Sequence, residues 1–110
     1  MKTFTIPIKL ESLANKREHW AKKAKRAKEQ RQAAYLLCPP VEYFTCVVSI
    51  TRIAPRELDT DNLAISAKHV RDGIADRLGI DDRDKRVTWA YSQSKGEPKQ
   101  YAVSVSIVPC

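Results

Sequence analysis

Three observations predict an α/β (α+β) fold, a small mixed four-stranded sheet with two main helices in the order β-α-β-α-β-β. Apolar residues alternate over 3–10, and β-branched and aromatic residues crowd 41–53. Helix formers fill 13–37, and a 3.6-residue apolar repeat occupies 62–78. Two more strand-like segments flank Lys95-Gly96-Glu97-Pro98 near the end. Strands and helices in this order suggest helices packed on one sheet. The 110 residues suit one domain, 1–110, with no internal repeat or linker.

The first strand, "TFTIPIKL", places Phe4, Ile6, Ile8 and Leu10 on one face. Pro7 has no amide donor and so points to an edge strand or a strand start. The helix at 13–37 has Leu13, Trp20, Ala24, Ala27 and Ala34 near one thin stripe. Pro39-Pro40 ends it. This helix is expected to extend beyond the sheet. Residues 41–53, "VEYFTCVVSITRI", form the second strand, broken by "APREL". In the second helix Leu63, Ala67, Val70, Ile74 and Leu78 face the core, Asp61 serves as N-cap and Gly79 as stop. The last two strands read as a hairpin.

Composition narrows the function. A hydrophobic content of 43% permits a modest core. No apolar run approaches the roughly 20 residues that span a bilayer. The start, "MKTFTIPIKLES", resembles neither signal peptide nor anchor, so the expectation is a soluble intracellular protein with no membrane partner. Three cysteines without CxxC spacing argue against a disulfide framework or a zinc site. Cys46 reads as a core residue and Cys110 as a loose end. With three glycines in the chain there is no Gly-rich phosphate loop, and no Ser-His-Asp arrangement is suggested.

Charge is unevenly distributed. The formal charge is +7, and between 16 and 31 eight Lys or Arg face two Glu. Such a helix is either a solvated face or a phosphate-contacting surface, with Lys16, Arg17, Lys22 and Lys25 as candidate contacts. The segment "RELDTDNLAISAKHVRDGIADRLGIDDRD" carries the opposite sign at chosen points. In an extended segment Asp59 and Asp61 project to one side and repel unless a cation or proton lies between them. Mg²⁺ prefers oxygen ligands and often takes one or two carboxylates plus water. Asp81 and Asp82 follow a helix roughly 25 Å long and reach Asp61 only if the chain doubles back or a second subunit supplies them. Lys68 lies about two turns beyond Asp61 and leans toward it; the alternative partner is Asp72, four residues on. Without a metal, Asp61 is a helix cap, Asp59 a turn residue and Asp81-Asp82 the start of a solvated turn. A cation-holding acidic cluster beside a basic surface suits metal-dependent phosphodiester cleavage.

The stretches "LDTDNL", "AKHVRDGIADRLGIDD" and "VTWAYSQ" together resemble the RusA-like Holliday-junction resolvases common in phages and prophages. "SLANKREHWAKKAKRAKEQR" is similar to that family's early segment, where Ser and Asn precede a basic helix. The similarity covers nearly the whole chain. It implies a homodimeric crossover junction endodeoxyribonuclease of recombination and repair. Such an enzyme binds four-way DNA junctions and nicks paired strands with Mg²⁺ or Mn²⁺. The setting implied is the cytoplasm of a bacterial host, with a phage or prophage origin. The resemblance assigns the metal to Asp59, Asp61 and Asp82, with Asp81 adjacent, and gives Lys68 a catalytic place. Asn15, Arg56, Asn62 and Lys68 join the basic helix as DNA contacts.

Two departures stand out. The founding pattern has its lysine four residues after the second Asp, where this chain has Ile65; Lys68 looks like a phage-type form. The basic run before the first Asp is reduced to Arg52 and Arg56. His19 reads as a surface or packing residue with general base as the alternative, and Trp20 as a core anchor with base stacking as the alternative. Trp89 reads as core. Two other functions stay open: a non-catalytic basic DNA-binding module, and an interaction domain for an acidic protein.

Overall fold

A computed structural model describes residues 1–11, 19–41, 45–81 and 83–109. Its elements run β1 (Lys2–Ile6), α1 (Trp20–Leu37), β2 (Cys46–Ala54), α2 (Thr60–Ser66), α3 (Lys68–Leu78), β3 (Val87–Lys95) and β4 (Ala102–Pro109). The mixed α+β class is the one the sequence predicts. Strand order is β1-β4-β2-β3, with β2 parallel to β3 and antiparallel to β4, and β1 antiparallel to β4.

Alternation in the two central strands decides the layering. In β2, Cys46, Val48, Ile50, Arg52 and Ala54 are buried while their neighbours are half-exposed. In β4, Val103, Val105 and Ile107 are fully buried. These side chains form one inner face, and α1 and α3 cover it with Ala34, Val70 and Ile74. On the outer face, Thr3, Ser106, Ser49 and Ala90 lie in register across the four strands, and Thr5, Ser104, Thr51 and Ser92 form the next row.

Several expectations change. The first strand stops at Ile6, before Pro7, which has no amide to continue the ladder. α1 is described from Trp20 onward, and Leu13 lies outside the described residues. Its buried positions are Gln30 and Ala34, followed by Cys38 at its C-cap. Trp20, expected as a core anchor, is 76% exposed, because the first turns of α1 lie beyond the body on which the later turns pack. The single helix expected over 62–78 is two, α2 and α3, divided at Ala67, whose φ and ψ are −91° and 0°. Asp59, rather than Asp61, occupies the N-cap position, without a side-chain cap bond, and Asp61 falls in the first turn.

Gly79 ends α3 as expected, in the left-handed region at φ 72°. The amides of Gly79 and Ile80 donate to the carbonyls of Asp76 and Ala75, the paired bonds of a Schellman motif.

No hairpin joins β3 and β4: both flank β2 and do not pair with each other. Their connection crosses the end of β2, where the Gly96 amide donates to the Ala54 carbonyl. The Gln100 amide donates to the Glu97 carbonyl, and Lys99, third in that turn, has φ 64°. With Pro98 second, this is the type II form.

α1 and α3 meet closely at Gly73. A Cβ there would collide with the Arg31 carbonyl oxygen and come within 2.8 Å of the Ala34 Cβ. Both neighbours belong to α1, and the first is backbone, so relief requires the helices to part. Gly73→Ala is expected to destabilise the fold by about 2–3 kcal/mol despite its better helix propensity. Urea denaturation would check this.

Candidate metal and nucleic-acid site

Parallel strands β2 and β3 end side by side, and ligands of open α/β sheets bind outside the carboxyl ends of such strands. There the chain leaves β2, passes through 55–58 and enters α2 at Asp59. Two polar residues of the inner face shape this passage. Arg52 and Gln93 are register partners across β2 and β3. Gln93 clasps Leu58: its Oε1 accepts from the Leu58 amide at 2.8 Å and its Nε2 donates to the Leu58 carbonyl at 2.7 Å. Arg52 is 6% exposed; its Nε donates to the Leu10 carbonyl at 2.8 Å and its NH1 to the Arg56 carbonyl at 2.6 Å. Burial pushes the Arg52 pKa down, partly offset by Tyr101.

Neither residue stands out as an organiser from residue type alone. The signal was present in phase: Arg52 continues the inward series Cys46, Val48, Ile50, and Gln93 continues Val87, Trp89, Tyr91. A polar residue in an apolar phase needs a partner.

Asp59 and Asp61 are both exposed, and neither carboxylate forms a hydrogen bond or ion pair among the described residues. The extended segment expected to aim both to one side is absent, because α2 begins at Thr60 between them and residues two apart on a helix do not face each other; each carboxylate is still an oxygen donor of the kind a hard divalent cation takes. Asp82 lies outside the described residues. Asp81 belongs elsewhere: its Oδ1 accepts from the Arg83 amide at 2.9 Å, an Asx turn, and it lines a cleft with Arg31, Asp72, Asp76 and Ile80. Among the described residues no three His, Cys, Asp or Glu gather to hold a metal, so Asp81 does not join Asp59 and Asp61.

Lys68 is exposed at the start of α3 and makes no ion pair with Asp72 among the described residues. Both act on half-buried His69, whose pKa is lowered by burial first, with Asp72 opposing and Lys68, Arg26 and Arg31 adding to the fall. Arg56 is exposed and Asn62 half-buried. Asn15, Lys16 and Arg17 lie outside the described residues.

Along α1 the cations divide into two groups. Arg26 pairs with Glu11 at 3.7 Å, Lys25 with Glu29 at 3.9 Å, and Arg31 grips Asp76 with two bonds of 2.6 and 2.9 Å. Lys22, Lys23 and Lys28 form no ion pair among the described residues. His19 caps α1 through Nδ1, which accepts from the Ala21 amide at 3.2 Å.

Trp89 is half-buried against the core, with the Arg71 guanidinium 4.8 Å from its ring centroid. Arg71 also donates to the Tyr91 hydroxyl at 3.0 Å. Cys38 and Cys46 are buried, and burial raises the Cys38 thiol to about 11 against the pull of Arg77. Such a thiol stays protonated and unreactive at neutral pH. Cys110 lies outside the described residues. No described helix is long and apolar enough to cross a membrane.

Gln93→Ala removes both bonds to Leu58 and is expected to cost about 1–2 kcal/mol in urea unfolding. The Arg31–Asp76 pair has a pH signature. Hydrogen bonding from Arg31 holds the Asp76 carboxyl below its ordinary 3.8, against burial. The folded-state value is depressed, so the pair stabilises above the unfolded value and is lost as pH falls through the folded one. Asp76→Asn is expected to lower stability by at most about 1 kcal/mol at neutral pH, with the difference from wild type closing below pH ~3.8. Thermal melts across pH would read this.

Comparison with known proteins adds one relative. An uncharacterized protein of Xylella fastidiosa (strain Temecula1 / ATCC 700964) is 35% identical, with the alignment covering 76% of this chain. The match spans 61% of that protein's length. No family model matches the chain. No solved structure matches it either.

Proposed function

We propose that the protein is a metal-dependent, structure-selective endodeoxyribonuclease that resolves four-way DNA junctions, as the RusA-like pattern of its sequence implies. The observation that carries this reading is the pair of exposed, unpartnered carboxylates, Asp59 and Asp61, at the carboxyl end of the parallel strands. The backbone that leads to them is fastened at Leu58 by Gln93 and at Arg56 by Arg52. The carboxylates' oxygen donors suit Mg²⁺ or Mn²⁺.

In this reading Asp59 and Asp61 hold the metal together with Asp82. The bound metal would polarise the scissile phosphate and lower the pKa of a water. Lys68 stabilises negative charge developing on the phosphate, and Arg56 and Asn62 steady the strand beside the carboxylates. The lysines of α1 offset the repulsion between an acidic site and a polyanion. Paired nicks on a two-fold symmetric junction follow most simply from a homodimer. A phage or prophage origin and a cytoplasmic place of action belong to the same proposal.

A second reading is a non-catalytic DNA-binding module. It is favoured by Asp59 standing at a helix N-cap position and by the lack of a three-ligand cluster among the described residues.

Asp61→Asn separates the two. Incubated with a labelled mobile four-way junction and Mg²⁺, the wild type is expected to cut and the variant to lose at least about a hundred-fold in rate while still shifting the junction in a gel. Undiminished cutting by Asp61→Asn would remove the site assignment. Junction binding by wild type that ignores Mg²⁺ and yields no product would select the module.

A further inference from the structure

The aromatic ring at the tip of α1 has no place in the core. Trp20 is the first residue of the helix and is 76% exposed, an unusual cost for the largest apolar side chain. It does not stand alone. His19 is held by its cap bond to the Ala21 amide, and its ring centroid lies 5.5 Å from that of Trp20, with the planes inclined at 32°. The two rings make a small step of π surface at the exposed end of the helix.

The charge around this step selects its occupant. Residues 19–28 contain Lys22, Lys23, Lys25, Arg26 and Lys28 and no carboxylate. Lys23, three residues after Trp20, lies on the same side of the helix and is unpaired among the described residues. A second copy meeting this end of α1 two-fold would bring the same charge to it and be repelled there. An anionic bilayer would want a hydrophobic face, but the only apolar neighbours of Trp20 on the described turns are alanines. The exposed Leu36 and Leu37 lie about 24 Å away along the axis. A partner that is both anionic and faced with flat aromatic surface is a nucleic acid whose bases are not fully stacked.

We propose that Trp20, supported by His19 and flanked by Lys22 and Lys23, stacks on an unpaired or splayed nucleobase. α1 would then recognise single-stranded or branched DNA in preference to a continuous duplex. The inference rests on the nucleic-acid half of the function proposed above and is independent of cleavage. A duplex offers its phosphates to the lysines but no free base face to the indole. The ring therefore supplies discrimination, which charge alone does not.

The test measures binding of the full chain by fluorescence anisotropy in EDTA. The probes are labelled oligothymidylate, a four-way junction with unpaired thymines at its centre, and a blunt duplex of equal length. Trp20→Ala is expected to weaken the first two on the order of ten-fold and leave the duplex unchanged. Trp20→Phe is expected to recover most of the loss. Tryptophan emission of the wild type should be quenched by oligothymidylate and that of Trp20→Ala should not. Far-ultraviolet circular dichroism of each variant guards against misfolding. Equal losses on all three DNAs, no loss on any, or wild-type preference for anionic phosphatidylserine vesicles over oligothymidylate would each overturn the proposal. Stacking without Mg²⁺-dependent cutting would sink only the nuclease reading. Cutting with no effect of Trp20→Ala would sink only this one.

Discussion

The guanidinium of Arg52 points into the apolar side of the central strand and holds two backbone carbonyls, those of Leu10 and Arg56. A cation at 6% exposure is costly unless its donors are matched, and here strong charge-assisted bonds offset that cost. The consequence is geometric. Leu10 ends the stretch that leads toward α1, and Arg56 begins the stretch that leads to Asp59. One side chain therefore sets how the N-terminal segment and the acidic segment lie relative to each other and to the sheet. Gln93, its register partner, fixes the next residue but one along the same passage. Together they convert an irregular connection into a defined edge.

That edge explains how opposite charges coexist in so small a chain. The acidic pair sits where two parallel strands end, while the free lysines of α1 sit on a helix that packs through its other half. Arg31 and Arg26 are drawn into ion pairs with Asp76 and Glu11 and serve cohesion between segments. Lys22, Lys23 and Lys28 remain available. Count alone therefore overstates the charge of α1 that is free to meet a partner.

The sheet was legible where alternation was clean, as in 46–54 and 102–109, because a one-sided sheet imposes a period of two on its strands. Gly79 was legible because few residues other than glycine settle at a left-handed φ. What escaped was decided by tertiary context. The pairing of β3 with β2 is a long-range choice between strands, and the turn signal at Lys95-Gly96-Glu97-Pro98 says only that the chain bends there. The break at Ala67 leaves the apolar repeat of 62–78 unbroken and so leaves no mark in the pattern. Trp20 fits a helical stripe on paper, but a stripe is buried only where something lies beneath it. Of the candidate site, Asp59, Asp61 and Lys68 were legible as residue types, whereas Arg52 read only as a remnant of the basic run before Asp59 and Gln93 was not singled out. Their partners are backbone atoms, which carry no sequence signature.

α1 is secured at one end. Gln30, Ala34 and Cys38 are buried, and Gly73 lets α3 come up against the backbone of Arg31, while residues 19–25 are all exposed. Mechanically this is a cantilever. Displacement grows with distance from a clamp, so a tilt about Ala34 would carry Trp20 further than it carries Gln30. Grip on a partner at that tip would stiffen the whole beam, and the strain would be delivered to the α1–α3 seam rather than to the sheet.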